Sequence, residues 1–179
     1  NGERGDSIIL TNQLMTWFSK TYNDKLESHR LFLNGARLEQ DQALKIHTQD
    51  LDQLAKKIDG IGMSLIVIAP FPDFKYPPST CYSPILMKYF KNLRFPEKCQ
   101  TTRREQEARR NHILKTLVNL SSENRNVFLF DPINFICTPN ICSNIREGTP
   151  LYYDDDHINF NTAKDMYLEF KETLDLSRN

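Results

Sequence analysis

Nowhere in the sequence do apolar residues run long enough to cross a bilayer as a helix, which takes about 18–20 in succession. The N-terminus also lacks the basic, apolar and small-residue blocks of a secretion leader. If the protein works beyond the cytoplasm, its export signal or membrane anchor is therefore expected outside this chain. An excess of charge of either sign is missing too: 23 basic and 23 acidic side chains give a formal net charge of zero. That balance removes the electrostatic footprint of a general nucleic-acid binder, and no nucleic-acid partner is expected. Glycine is scarce and scattered, six in 179 residues, and forms neither a P-loop nor a G-x-G-x-x-G turn, so no nucleotide or other cofactor is implied. There are only four cysteines, Cys81, Cys99, Cys137 and Cys142, none in C-x-x-C spacing, which excludes a zinc knuckle or a thioredoxin-type site. Four cysteines allow three connectivities. Neighbour pairing is the simplest, since it would staple two irregular loops, and disulfides point to an oxidising compartment.

What is present suits one globular domain over residues 1–179, with 39% hydrophobic residues to build a core. Three short apolar runs read as strands: Ile8 to Asn12, Met63 to Ala69, and Val127 to Phe130. Each is continuous rather than alternating, as expected of strands covered on both faces. Helical spacing lies between and after them. It links Leu44, His47, Leu51, Leu54, Ala55 and Ile58 before Gly60 and Gly62, and then Ile113, Leu114, Leu117 and Val118. A last stripe holds Ala163, Met166, Tyr167, Phe170 and Leu174. The Arg/Glu-rich start of the second helix, Arg103 to Arg110, reads as a solvated face. This alternation predicts an α/β fold, a parallel sheet between helical layers. Residues 70–100 carry six prolines and one cysteine pair, and read as a long excursion from the end of the second strand. Loops of that kind commonly shape the ligand site.

The most informative stretch is Leu-Tyr-Tyr-Asp-Asp-Asp-His-Ile-Asn-Phe-Asn-Thr-Ala, residues 151–163, a polar turn before an amphipathic helix. A carboxylate three residues before a histidine can curl back to one ring nitrogen, fix the tautomer and stabilise the imidazolium formed when the ring takes a proton. That spacing selects Asp154 as partner of His157. Two other readings stand beside it. The three aspartates suit a solvated turn, and they offer oxygen ligands to a hard cation, although the regular spacing of a calcium loop is missing. A metal-dependent hydrolase built on Asp154, Asp155, Asp156 and His157 would need a second ligand cluster, and none is readable.

The block from Cys137, Cys142 and Gly148 through residues 151–163 resembles the C-terminal block of the SGNH hydrolase superfamily. It most resembles SGNH domains fused to acyltransferase-3 membrane proteins, which O-acylate surface polysaccharides and peptidoglycan. The likeness extends to the segment Ile8–Trp17 and to Ala-Pro-Phe-Pro at 69–72. It implies a three-layer α/β/α fold, a D-x-x-H acid and base at Asp154 and His157, an acyl donor and a carbohydrate acceptor. It further implies an extracytoplasmic site anchored by an N-terminal membrane acyltransferase domain of the same polypeptide. Ile158 and Asn159 stand where that family usually has leucine and serine.

Gly5-Asp6-Ser7 matches the family's nucleophile block letter for letter. In this fold, however, the serine follows a buried strand and precedes a helix, whereas Ser7 follows polar residues and precedes a strand. The segment aligns better with a later strand whose end carries an oxyanion donor, here Asn12. The resemblance then implies that the first strand and the nucleophile loop lie upstream of this chain. A reading from another class is a non-catalytic carbohydrate-binding module of the same fold, with Tyr76, Tyr82, Tyr89, Tyr152 and Tyr153 as candidate stacking surfaces.

Overall fold

In the computed structural model, residues 5–11, 32–81 and 99–178 are described. Asn12, Trp17, His29, Tyr82 and Tyr89 lie outside them. The chain forms two compact units: residues 1–70, 109–131 and 169–179 make the first, and residues 71–108 and 132–168 the second.

The first unit is built on a parallel sheet of β1 (Ser7–Leu10), β4 (Ser64–Ile68) and β6 (Val127–Phe130), in the order β1-β4-β6. The register pairs Leu65 with Ile8 and Val127, and Val67 with Leu10 and Leu129, so these side chains share one face. Against that face pack Ala43, Leu44, Leu51, Ala55 and Ile58 of helix α1 (Gln40–Asp59), with Ile113, Leu117 and Leu120 of α2 (Arg103–Glu123). The opposite face carries Ile66, Phe128 and Phe130, and Phe130 meets Phe170 of α4 (Phe160–Leu176) edge to face at 5.3 Å. Helices on both faces of a parallel sheet are the expected three-layer α/β/α arrangement. α1 stops where its apolar spacing stops: Gly60 donates to Lys56 O, and Gly62 takes a left-handed φ of 75° that a side chain would resist.

Three expectations need correction. Among the described residues, β1 is not covered on both faces, for Ile8 and Ile9 are exposed. The packed side of α4 runs through buried Thr162 and Met166 and half-buried Phe170 and Leu174, while Ala163 and Tyr167 face solvent. Nor is the charged start of α2 wholly solvated. Gln106 and Arg110 are fully buried, each seven residues ahead of buried Ile113 and Leu117 in turn, on a single helical stripe.

The second unit holds β5 (Gln100–Thr102) antiparallel to β7 (Ile141–Ser143), and the hairpin β8 (Ile145–Arg146) and β9 (Thr149–Pro150). The hairpin turns on Glu147 and Gly148, both at positive φ, as a two-residue turn of this twist requires. Both cysteine pairs are neighbour disulfides, Cys81–Cys99 and Cys137–Cys142. Phe74, Leu151, Tyr152, the second disulfide, and Ile133 and Ile136 of the short helix α3 (Ile133–Ile136) form this unit's own core. A two-residue strand pair, β2 (Phe32–Leu33) and β3 (Ala36–Arg37), precedes α1.

Candidate active site

The turn from Tyr152 to Ile158 is closed by pairing at its base. Tyr152 and Ile158 form an antiparallel bridge, Tyr153 N–H donates to His157 O at 2.7 Å, and Asn159 N–H donates to Leu151 O at 3.0 Å. Tyr152 is the anchor. Its ring packs edge to face on Phe74 at 5.1 Å, and its hydroxyl donates to Pro72 O at 2.6 Å. A side chain so buried offers no surface to a sugar, which removes Tyr152 from the candidate stacking residues. Tyr153, one residue on, points outward and is 83% exposed.

From the other side, Phe74 N–H donates to Asp155 O at 3.0 Å. The Phe74 segment is itself held by Gln106, whose side-chain amide donates to Asp73 O at 2.5 Å and accepts from Asp73 N–H at 3.3 Å. Sequence reasoning passed over Gln106. The available signal was its place on the α2 stripe that continues as Ile113, Leu117 and Leu120. Asn159 leaves the turn as the cap of α4, its side-chain oxygen accepting from Thr162 N–H at 2.8 Å. A serine at this position caps a helix by the same bond, so the departure from the family pattern costs nothing locally.

At the tip, Asp154 Oδ1 accepts the backbone N–H groups of Asp156 at 3.1 Å and His157 at 2.7 Å. This side-chain turn is what brings the histidine ring back over the carboxylate. His157 Nδ1 then lies 3.0 Å from Asp154 Oδ1 and 2.9 Å from Oδ2. Asp156 Oδ1 is 2.8 Å from the same nitrogen, a partner that the three-residue spacing had not singled out. Burial alone would lower the His157 pKa. The Asp154 hydrogen bond and the charges of Asp156, Asp154 and Asp155 outweigh it, and the pKa is raised. Burial would likewise raise Asp154, but the donated backbone N–H groups and the His157 ring hold it below the usual carboxylate value. Asp156 moves up, first because it is the more buried, then because Asp154 and Asp155 repel its charge, against the pull of His157.

Donor atoms of Asp154, Asp156 and His157 all lie within 4.8 Å of one another. The histidine atom turned inward is already hydrogen-bonded to the carboxylates, an arrangement that orients a ring. With Nδ1 facing carboxylates, the neutral ring carries its proton on Nδ1 and its lone pair on Nε2, the state of a general base.

The other candidates fall elsewhere. Asn12 lies outside the described residues. Ser7 opens β1 at the N-terminal edge of the parallel sheet, paired in register with Ser64, and its hydroxyl meets that of Ser177 at 2.8 Å. No complete Ser-His-Asp triad is visible among the described residues. No described helix is long and apolar enough to cross a membrane.

No curated protein and no solved structure shows significant similarity to the chain. A family model described as "SGNH domain (fused to AT3 domains)", AT3 being acyltransferase-3, matches residues 1–170. Both the parallel sheet with helices on its two faces and the turn presenting Asp154 and His157 fall inside that match. The chain belongs to the SGNH domain family found fused to acyltransferase-3 domains.

Proposed function

We propose that the chain supplies the acid–base part of an esterase or O-acyltransferase that moves acetyl or related acyl groups on cell-surface glycan. The observation that carries this reading is the imidazole of His157 held at Nδ1 by the Asp154 carboxylate, 2.9 Å and 3.0 Å from its two oxygens. In the reaction, a serine hydroxyl attacks the acyl carbonyl carbon while Nε2 takes its proton. Asp154 stabilises the imidazolium, and Asn12 donates to the tetrahedral oxyanion. Nε2 then returns the proton to the departing alcohol, leaving an acyl-serine. Water or a sugar hydroxyl attacks that ester, giving hydrolysis or transfer by the same machinery.

The serine in this scheme is upstream of the chain. Ser7 is a poor candidate on physical grounds, because ligand sites of parallel sheets form at the C-terminal strand ends, and Ser7 stands at the opposite end with its hydroxyl on Ser177. The family's fusion to acyltransferase-3 domains supports a membrane module in the same polypeptide that delivers the acyl donor to an extracytoplasmic site.

The test is turnover of p-nitrophenyl acetate by the full-length protein. His157→Ala is expected to lower kcat by roughly 10^4-fold and Asp154→Asn by roughly 10^2- to 10^4-fold, while Ser7→Ala changes little. Turnover untouched by His157→Ala would sink this reading and leave a non-catalytic glycan-binding module of the same fold.

A further inference from the structure

The ring nitrogen that meets Asp154 also meets a second carboxylate at no greater distance. Nδ1 is 2.8 Å from Asp156 Oδ1, against 2.9 Å and 3.0 Å from the two oxygens of Asp154. A single N–H cannot satisfy three oxygens fully, so both carboxylates share the proton and both feel any positive charge on the ring. The two are held differently. Asp154 is pinned by two backbone donors, those of Asp156 and His157. Asp156 is the less exposed, at 23% of its side chain against 40%, and its charge is correspondingly less screened by water.

We propose that Asp156 is a positioning residue for His157 that shares Nδ1 with Asp154: Asp154 sets the ring's orientation and tautomer, and Asp156 adds the less-screened negative charge that stabilises the imidazolium. The proposal rests on the reading of His157 as the proton carrier. Asp154 and Asp156 repel each other when the ring is neutral, and a cationic ring between them relieves that repulsion. Their stabilisation is therefore greatest when the proton has moved, which is where an interaction lowers a barrier rather than merely tightening the resting state. In keeping with this, burial opposes charge on the ring and the Asp154 hydrogen bond favours it most, while of the three aspartate charges that add to it, that of Asp156 acts most strongly and that of Asp155 least. Asp155 spends its backbone carbonyl on Phe74 N–H and serves to hold the turn.

The experiment is a pair of titrations. One follows the His157 ring proton by NMR in the full chain, assigned by its loss in His157→Gln, for the parent, Asp154→Asn and Asp156→Asn. The other is the pH–rate profile of acetyl-ester turnover by the full-length protein and the same variants. Asn preserves the shape of Asp156 and leaves its backbone N–H on Asp154, so the turn is kept. The expected result is a lower His157 pKa in Asp156→Asn, with the acid limb of kcat/KM moving to lower pH. At the optimum kcat falls roughly tenfold with KM little changed, the low end of what a carboxylate orienting a functional imidazole contributes. Asp156→Glu recovers most of the loss. A His157 titration unmoved by Asp156→Asn overturns the proposal whatever the activity. A titration that moves while turnover survives His157→Gln instead removes the proton-carrier reading, and with it the role given to Asp156.

Discussion

Arg110 offers the sharpest test of how the sheet is held. Its side chain is fully buried, its Nε donates to Pro70 O at 2.7 Å, and its Nη2 pairs with the Asp131 carboxylate. Pro70 lies just beyond β4 and Asp131 just beyond β6, so one guanidinium ties together the C-terminal ends of two parallel strands. Arg110→Ala removes both contacts and the packing of a long stem. Breaking a fully buried ion pair costs about 3–5 kcal/mol, but Asp131 keeps 26% of its side chain exposed and can be rehydrated, so the expected loss is about 2–3 kcal/mol. With a urea m-value of about 2–3 kcal/mol/M, the unfolding midpoint should fall by about 1 M, read by far-UV circular dichroism without reductant. Arg110→Met keeps the apolar stem and should lose less than Arg110→Ala. In the double variant with Asp131→Asn, the two losses should sum to less than their separate values, since the charge stranded by either change alone is gone. A midpoint for Arg110→Ala within about 0.3 M of the parent would refute the reasoning, because it would mean that these bonds add nothing over hydration.

Further expectations follow from the core, the staples and the site. Leu65 lies fully buried at the middle of the sheet, paired with Ile8 and Val127, so Leu65→Ala should cost about 3–5 kcal/mol in chemical denaturation. The disulfides should differ through the loops they close. Replacing Cys81 and Cys99, 18 apart, by serine should cost about 3 kcal/mol, and replacing Cys137 and Cys142, 5 apart, about 2 kcal/mol, by calorimetry or urea titration. Because the folded-state pKa of His157 is raised, its contribution to stability is complete below its ordinary value of 6.5 and is lost as pH rises through the folded value. His47 is shifted the opposite way, mainly by burial, so protonating it opposes folding and stability falls as pH drops through 6.5. Urea midpoints across pH 5–9 for His157→Gln and His47→Gln should therefore diverge from the parent in opposite senses, and parallel curves would contradict both assignments.

Much of the architecture was readable because it depends on short-range patterns. Val127–Phe130 and the run ending at Ala69-Pro70 are continuous apolar segments closed by proline, and both are strands of a parallel sheet. α1 follows its apolar spacing to the glycines that end it. Neighbour pairing of the cysteines was the simplest of three open connectivities and the fold selects it, while a turn bringing Asp154 to His157 needed only a three-residue reach. What tertiary structure alone decided were matters of partners distant in sequence. Arg110 reads as one more solvated charge on a charged helix, because nothing local reveals that Asp131 and Pro70 wait for it where two strands end. Gln106 is hidden in the same way by its bonds to Asp73, 33 residues away. Thr162 in α4 and Ser177 just beyond it are buried while Tyr167 is exposed, and the Ser177 hydroxyl finds its partners in Ser7 and the Leu174 carbonyl. Tyr152 and Tyr153 are the same residue in neighbouring positions, and only the contacts of Tyr152 with Phe74 and Pro72 make one an anchor and the other a surface. Asp156 reaches His157 because the Asp154 side chain bends the backbone between them, a conformation that depends on the bridge at Tyr152 and Ile158. Sequence determines which groups stand close along the chain; which of them lose water, and to which partner, is set by the contacts the fold closes over them.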